Sequence, residues 1–450
     1  MKNLMLLAGL LLALPAAAQT KIKVKTKTKA ASSIGPVVSA ATVARVVRTL
    51  AADDMQGRGT GQPGGLKAAQ FLAGEFQRIG LQPMAGAAGF EQVFSVYKSR
   101  PGPVTVVVNG QRIGAGQVMV ASGPAAFTWT SEDAKPVEVV RVAPGEKARL
   151  GPLLHPTANT LVIVDTTHAK EFVQLANYLR QGTLSAVIPP PFATVIVLAT
   201  APEKFTYRIG GSSAVQPVEL RNVVGVLPGH DPQRSRENVV FSGHYDHLGV
   251  VKPSAAGDSI ANGADDDASG TTAVVALAEY FKQKNDNARP LLFVAFAAEE
   301  VGGFGSQYFS NQLDPRAVVA MFNIEMIGKV AKFGPNTAFI TGYERSDFGA
   351  LLQANLVGSQ FRFEPDPYPK QNLFYRSDNA TLARLGVPAH SISTDQIPTD
   401  KLYHSVDDEV ESLDLVNMTA VIQAIAQSAR GIASGRQTPT RIAPEPTGGK

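Results

Sequence analysis

Apolar residues fall at helical spacing early in the chain and in short runs later, and this change of texture divides the sequence. Residues 40–50 read as a helix. A glycine-rich stretch, AADDMQGRGTGQPGG, follows, and then Ala68, Phe71, Leu72, Phe76 and Ile79 recur at helical spacing until Gly80 and Pro83 stop them. From about residue 91 to 219 the runs are β-rich and punctuated by Gly and Pro: VTVVV, LVIVD, SAVI and TVIVLAT. Beyond Glu219 strands and helices alternate. NVVGVLPG and ENVVFSG read as neighbouring strands, 291–297, 318–324 and VPAHSIST as further strands, and 268–284, 305–313, 346–356, 379–385 and 413–431 as helices. Alternation of this kind predicts an α/β fold, an open and mainly parallel sheet with helices on both faces, interrupted by an inserted β-rich domain.

A chain of 450 residues with 44% hydrophobic content has room for more than one core. Residues 1–18 carry one lysine, an apolar core over 4–14 and the small-residue ending Ala16-Ala17-Ala18, the pattern of a signal peptide. The expected organisation is therefore a signal peptide over 1–18 and a basic flexible leader over 19–39. A discontinuous principal domain follows over 40–95 and 218–432, with the β-rich insertion over 96–217 and a disordered tail over 433–450. Export to the periplasm or the medium follows from the first of these, and no later apolar run is long enough to span a membrane.

The formal charge of +4 belongs to the leader. Lys2, Lys21, Lys23, Lys25, Lys27 and Lys29 are six of the 42 basic residues, and without them 36 face 38 acidic side chains, a body near −2. No nucleic-acid partner is expected. Cysteine is absent, which excludes thiolate metal sites and cysteine nucleophiles and is compatible with an oxidising compartment.

Three segments carry the chemistry: FSGHYDHLG, NGADDDASG and FAAEEVGG. In open α/β sheets ligands bind beyond the carboxyl ends of the strands. His244 follows strand 238–242, Glu299 and Glu300 follow 291–297, Glu325 ends 318–324, His404 lies in the loop after 387–393, and Asp265 precedes a helix in the same set of loops. Two histidines and three of these carboxylates, with Glu299 left free, suit a pair of zinc ions or similar divalent metals in the absence of sulfur. Carboxylates gathered beside apolar strands are costly without cations to neutralise them. Asp267 is placed to cap the helix that starts at residue 268. The loop at residues 56–65 lacks the Lys-Ser/Thr ending of a phosphate cradle and reads as a structural turn.

These motifs resemble those of the M28 family of metallopeptidases, over residues 50–83 and about 222–430. The resemblance implies a phosphorylase/hydrolase-like α/β fold and two zinc ions bridged by a carboxylate. By position, His244 and Glu325 would hold one ion, Glu300 and His404 the other, and Asp265 would bridge them. Glu299 would be the general base, taking a proton from water and returning it to the leaving amine. Asp246 would orient His244, and Asp407 or Asp408 is a candidate for the same service to His404. Glu325 stands where the best-known aminopeptidases of the family carry aspartate. Tyr375, Ser377 and Asp378 lie in a stretch similar to the family's substrate-pocket segment. The insertion resembles a protease-associated (PA) domain. His247 is left between a substrate contact and a loop hydrogen bond, whereas His230 and His390 read as structural.

The reading implied is an exported dizinc aminopeptidase acting on peptides. Alternatives on the same scaffold are a dipeptidase or carboxypeptidase, for which Arg376 is the candidate carboxylate partner, a glutaminyl cyclase-like enzyme with one zinc, and a non-catalytic binding protein.

Overall fold

The computed structural model describes residues 37–146, 154 and 156–443. The signal peptide, nearly all of the leader and the end of the tail from residue 444 lie outside them. None of the described helices is long and apolar enough to cross a membrane. The strands used below are β1 (Glu91–Val108), β2 (Tyr207–Leu227), β3 (Asn238–His244), β4 (Leu291–Phe296), β5 (Val318–Ile324), β6 (Thr337–Ile340), β7 (Arg362–Pro365) and β8 (Ala389–Ser393). They form one mixed sheet in the order β7-β6-β8-β5-β3-β4-β2-β1. β3 pairs in parallel with β4 and β5, and β5 with β8, whereas β2 runs antiparallel to β4 and β6 antiparallel to β8.

β3, β4 and β5 are apolar on both faces because both faces are covered. Val239, Phe241, Phe293 and Phe322 belong to one core cluster, with the helices Ala40–Leu50, Pro63–Ile79, Gly270–Lys284 and Leu415–Ala433, and Val240, Val294 and Met321 belong to the opposite one. Phe241 lies opposite Phe293 and Phe322 in the ladder, with ring centroids 5.4 Å and 4.8 Å away. This aromatic row fixes the register of the three strands that carry the functional loops. Ser39 caps the first helix by accepting from Thr42 N, and Gly80, in the left-handed conformation, closes the second.

Two expectations change. The segments NVVGVLPG and ENVVFSG are not neighbours: β4 lies between β2 and β3. The reason is burial, since β3 is buried almost throughout and gains a parallel partner on each side, leaving β2 to pair with β4. The tail, too, is ordered as far as it is described. Arg289, 1% exposed, donates to the carbonyls of Ile432 and Gln437, and Ile442 is 2% exposed in the second core cluster. A buried guanidinium needs those acceptors, and they hold residues 433–443 against the body.

Within the β-rich region, β1 and β2 pair from Glu91↔Val223 to Val108↔Tyr207 across a bulge between Pro101 and Val104, so the strands run on through residues 96 and 217. A separate four-stranded sheet, in the order Val118–Ser122, Ala193–Leu198, Thr160–Val164, Glu138–Val142, packs with the helix Ala169–Arg180. Trp129 is local core there, 4.8 Å from Phe127.

Ending the chain at Ser434 should cost about 2–4 kcal/mol, because it strips Arg289 of acceptors and uncovers the pocket of Ile442. Urea unfolding reads this, and an unchanged midpoint would show that the segment adds nothing.

Candidate metal centre

The glycine-rich loop at 56–65 is a clamp on the functional loops. Arg58 is fully buried, and its guanidinium donates to the carbonyls of Leu50 (2.7 Å), Tyr245 (2.6 Å), Asn262 (2.5 Å) and Gly263 (2.9 Å). Gly57, at φ +60°, presses against Ala261, whose carbonyl a Cβ would overlap. The segments around His244 and the three aspartates are thereby fixed to one another before any ligand is considered.

At the carboxyl edge of the sheet, the structure brings together His244, Asp266, Glu299, Glu300, Glu325 and His404. His244 is the last residue of β3, Glu299 and Glu300 follow β4, and Glu325 follows β5. Ala298, Met326 and His404 have φ of +61°, +52° and +56°, backbone conformations of the kind that surrounding structure must hold in place. His244 Nε2 lies 3.3 Å from Asp266 Oδ1, and His404 Nε2 lies 3.3 Å from Asp266 Oδ2 and 3.1 Å from Glu300 Oε2. One carboxylate therefore presents each of its oxygens to a different imidazole.

That carboxylate is not Asp265, the expected bridge. Asp265 Oδ1 accepts from Gly328 N (2.7 Å) and Ser269 Oγ (3.2 Å), and its Oδ2 lies 3.4 Å from Lys329 Nζ. Asp267 accepts from the backbone N–H groups of His244, Gly270 and Met326 and so ties β3, the following helix and the end of β5 together. It is a structural knot more than a helix cap. With both neighbours committed, Asp266 alone of the three faces the imidazoles.

Asp246 also acts differently from expectation. Its backbone carbonyl, 3.1 Å from His244 Nδ1, orients the ring, whereas its carboxylate is 3.9 Å away. The carboxylate accepts from Thr60 Oγ1 (2.6 Å) and Glu299 N (3.1 Å), so it fixes the backbone of the expected base. Asp408 is buried, but it accepts from the N–H groups of Asp265 and Asp266 and does not reach His404. His247 is a residue that the sequence left open. Its Nδ1 is 2.6 Å from Glu300 Oε1, and with Asp266 and Glu300 it forms a close trio of possible metal donors. His390, in contrast, is structural, held by Ser346 and the Thr341 carbonyl, and burial pushes it down to about 4.

Electrostatics shows the cost of this crowding. Burial pushes the Glu299 carboxyl well above its usual range. His244 opposes the shift, and the charges of Glu325, Asp378 and Glu300 add to it. Burial likewise raises Glu325. Hydrogen bonds to Asp266 and Glu300 raise His404 to about 10. Burial would lower His244, yet Asp266 and Glu299 take it well above normal. Carboxylates outnumber imidazoles, so protonating every histidine would not balance the charge. Glu325 Oε2 and His247 Nε2 are buried without a hydrogen-bond partner. Orphaned donor atoms and an imidazole–carboxylate set of this composition fit divalent cations, zinc among them.

A cavity of about 220 Å³ opens on Asp266, Glu299, Glu300, Glu325 and His404. Ser377 lines it and accepts from Asn323 Nδ2 at 2.7 Å. Asp378 is buried nearby, and burial lifts it to about 7. Tyr375 lies apart from this cavity, lining a neighbouring hollow with Glu299 and Ser377, its ring under the guanidinium groups of Arg345 and Arg384.

Residues 222–429, which contain all of the candidate ligands and Glu299, match the model of peptidase family M28. This stretch, a little under half of the chain, resembles the M28 peptidases. Leucine aminopeptidase 1 of Leptosphaeria maculans is 27% identical over 213 residues, 44% of this chain and 52% of that protein. The Penicillium rubens protein of the same name is 28% identical over 201 residues, 42% of this chain and 50% of the relative. This chain thus spans about half the length of the curated relatives it matches. Among solved structures, the zinc aminopeptidase BSAP of Bacillus subtilis superposes with a TM-score of 0.54 at 14% identity, covering 89% of this chain and 97% of that one. The aminopeptidase of Aneurinibacillus sp. strain AM-1 gives 0.53 at 17% identity, over 91% and 96%. These likenesses show that the fold seen in those structures extends over most of the chain.

Arg58→Met should cost roughly 3 kcal/mol or more, since it leaves buried carbonyls without donors. Chemical denaturation measures it, and a loss below about 0.5 kcal/mol would contradict the clamp.

Proposed function

We propose that the protein is an exported metallo-aminopeptidase that holds two divalent ions, zinc by the character of its donors, and removes N-terminal residues from peptides. The observation that carries this reading is Asp266, whose two oxygens face His244 and His404 separately. In the proposal His244 and Glu325 hold one ion, Glu300 and His404 the other, and Asp266 serves both. His247, bonded to Glu300, buttresses that ligand. Export rests on the signal pattern of residues 1–18, and the β-rich region 96–217 is read as a PA-like insertion.

Such a pair of ions supplies Lewis acidity and makes water more acidic. The remaining work falls to the chain. Glu299 is committed to no imidazole, its backbone is fixed by Asp246, and its carboxyl lines the cavity. It accepts a proton from the attacking water and returns it to the leaving amine nitrogen. A carboxyl raised by burial holds that proton better than an exposed one. Arg376, exposed at the same cavity, keeps a second reading in view: it could take the terminal carboxylate of a dipeptide.

Purified protein should contain two equivalents of metal and cleave N-free but not N-blocked aminoacyl substrates, with loss of cleavage on chelation. One equivalent with cyclisation of N-terminal glutamine would support the cyclase reading, and cleavage restricted to dipeptides the Arg376 reading. Glu299→Gln should keep the metal and lower kcat by roughly 10²–10⁴-fold; retained turnover would remove its role. Asp266→Asn should deplete metal, whereas Asp265→Asn should keep most of it and instead cost about 1–3 kcal/mol beside Lys329. The reverse pattern would restore Asp265 as the bridge.

A further inference from the structure

One carboxylate in the cavity serves neither the candidate metal centre nor the fold. Asp395 follows β8, is 4% exposed, and lines the cavity with Phe339, Leu373, Ser391, Ser393 and Ile397, residues distinct from the candidate ligands. Neither of its carboxylate oxygens receives a hydrogen bond from an N–H or O–H group. Its close polar neighbours are themselves acidic, and single oxygens of Asp265, Asp395 and Asp400 lie within 4.8 Å of one another. The local cation, Lys329, is spent on the other two, at 3.4 Å from Asp265 and 2.6 Å from Asp400. Burial, with the charge of Asp265 and contact with Asp400, pushes Asp395 up to about 8, so its ionised form is disfavoured unless a cation lies beside it.

A buried carboxylate on the wall of a substrate-sized cavity, amid apolar and hydroxyl side chains, is a half-built ion pair. We infer that Asp395 is a specificity-determining residue, which receives the cationic end of a lysine or arginine side chain at the substrate's N-terminus. Phe339, Leu373 and Ile397 suit the methylene stem of such a side chain, and Ser391 and Ser393 offer hydroxyl acceptors beside the charge. Arg376 lines the cavity too, but it is exposed, and solvent screens its opposition. The inference rests on the aminopeptidase reading for its catalytic consequence, though not for binding.

The test pairs a binding measurement with a kinetic one on the metal-loaded full chain. Calorimetry would compare L-lysinamide with L-norleucinamide, which matches its stem without the charge, and kcat/KM would be compared for lysyl and leucyl anilides. Wild type should favour the charged member of each pair by roughly tenfold or more. Asp395→Asn should abolish that preference while leaving the leucyl rate within about threefold, and Asp395→Ser guards against an asparagine variant that misfolds. No preference in the wild type, or an unchanged ratio in both variants, would overturn the inference. So would a third equivalent of metal that is lost in Asp395→Asn without a change in ratio, which would make the acidic trio a cation site. A charge-dependent difference in binding that vanishes in Asp395→Asn, without turnover on any substrate, would support the inference while the aminopeptidase reading fails.

Discussion

The structure depends on buried negative charge gathered at one edge of a sheet. Parallel strands β3, β4 and β5 end together because the Phe241, Phe293 and Phe322 rings set their register, and each strand delivers histidine or carboxylate side chains to that edge. Ionised groups in such a place are costly unless paired. Part of the charge is met by backbone N–H groups, as at Asp267 and Asp265, and part by Lys329. What is left over lies around Asp266, and this remainder is what cations would neutralise.

Rigidity around that remainder comes from polar contacts as much as from the apolar core. Arg58 joins the end of the first helix to two loops through their carbonyls, Asp246 and Thr60 fix the Glu299 backbone, and Ser242, Asn323 and Ser377 form a chain of hydrogen bonds beneath the cavity. Each of these groups is buried or nearly so, and removing one strands its partners. Donor atoms held in this way pay little to reorganise on receiving a ligand. The same economy explains why residues 56–65, remote in sequence from the histidines, belong to the same structural unit.

Much of this was legible in the sequence. Apolar runs and helical spacing gave the α/β alternation, and strand ends located His244, Glu299, Glu300, Glu325 and His404 at one edge, where the structure has them. Strand order was not legible, because adjacency of β2 and β4 depends on burial across the whole sheet and not on local pattern. Nor could residue type choose among Asp265, Asp266 and Asp267. Three consecutive carboxylates look alike until the N–H groups of Gly328, Gly270 and Met326 claim two of them. Ile442 is a lone apolar residue in a Pro- and Thr-rich tail, and its order depends on remote partners such as Arg289, Asp347 and Gly386 that local pattern does not show. Asp395 is equally silent in the sequence, since nothing in STDQIP marks it as facing a cavity.

The central claim is that Asp266 lies between two cations. Crystals of the metal-loaded protein, with anomalous scattering recorded on both sides of the zinc absorption edge, address it most directly. The account predicts two anomalous peaks flanking the Asp266 carboxylate, one beside His244 and Glu325 and the other beside Glu300 and His404. A single peak, or density centred on Asp265 and Lys329, would contradict it.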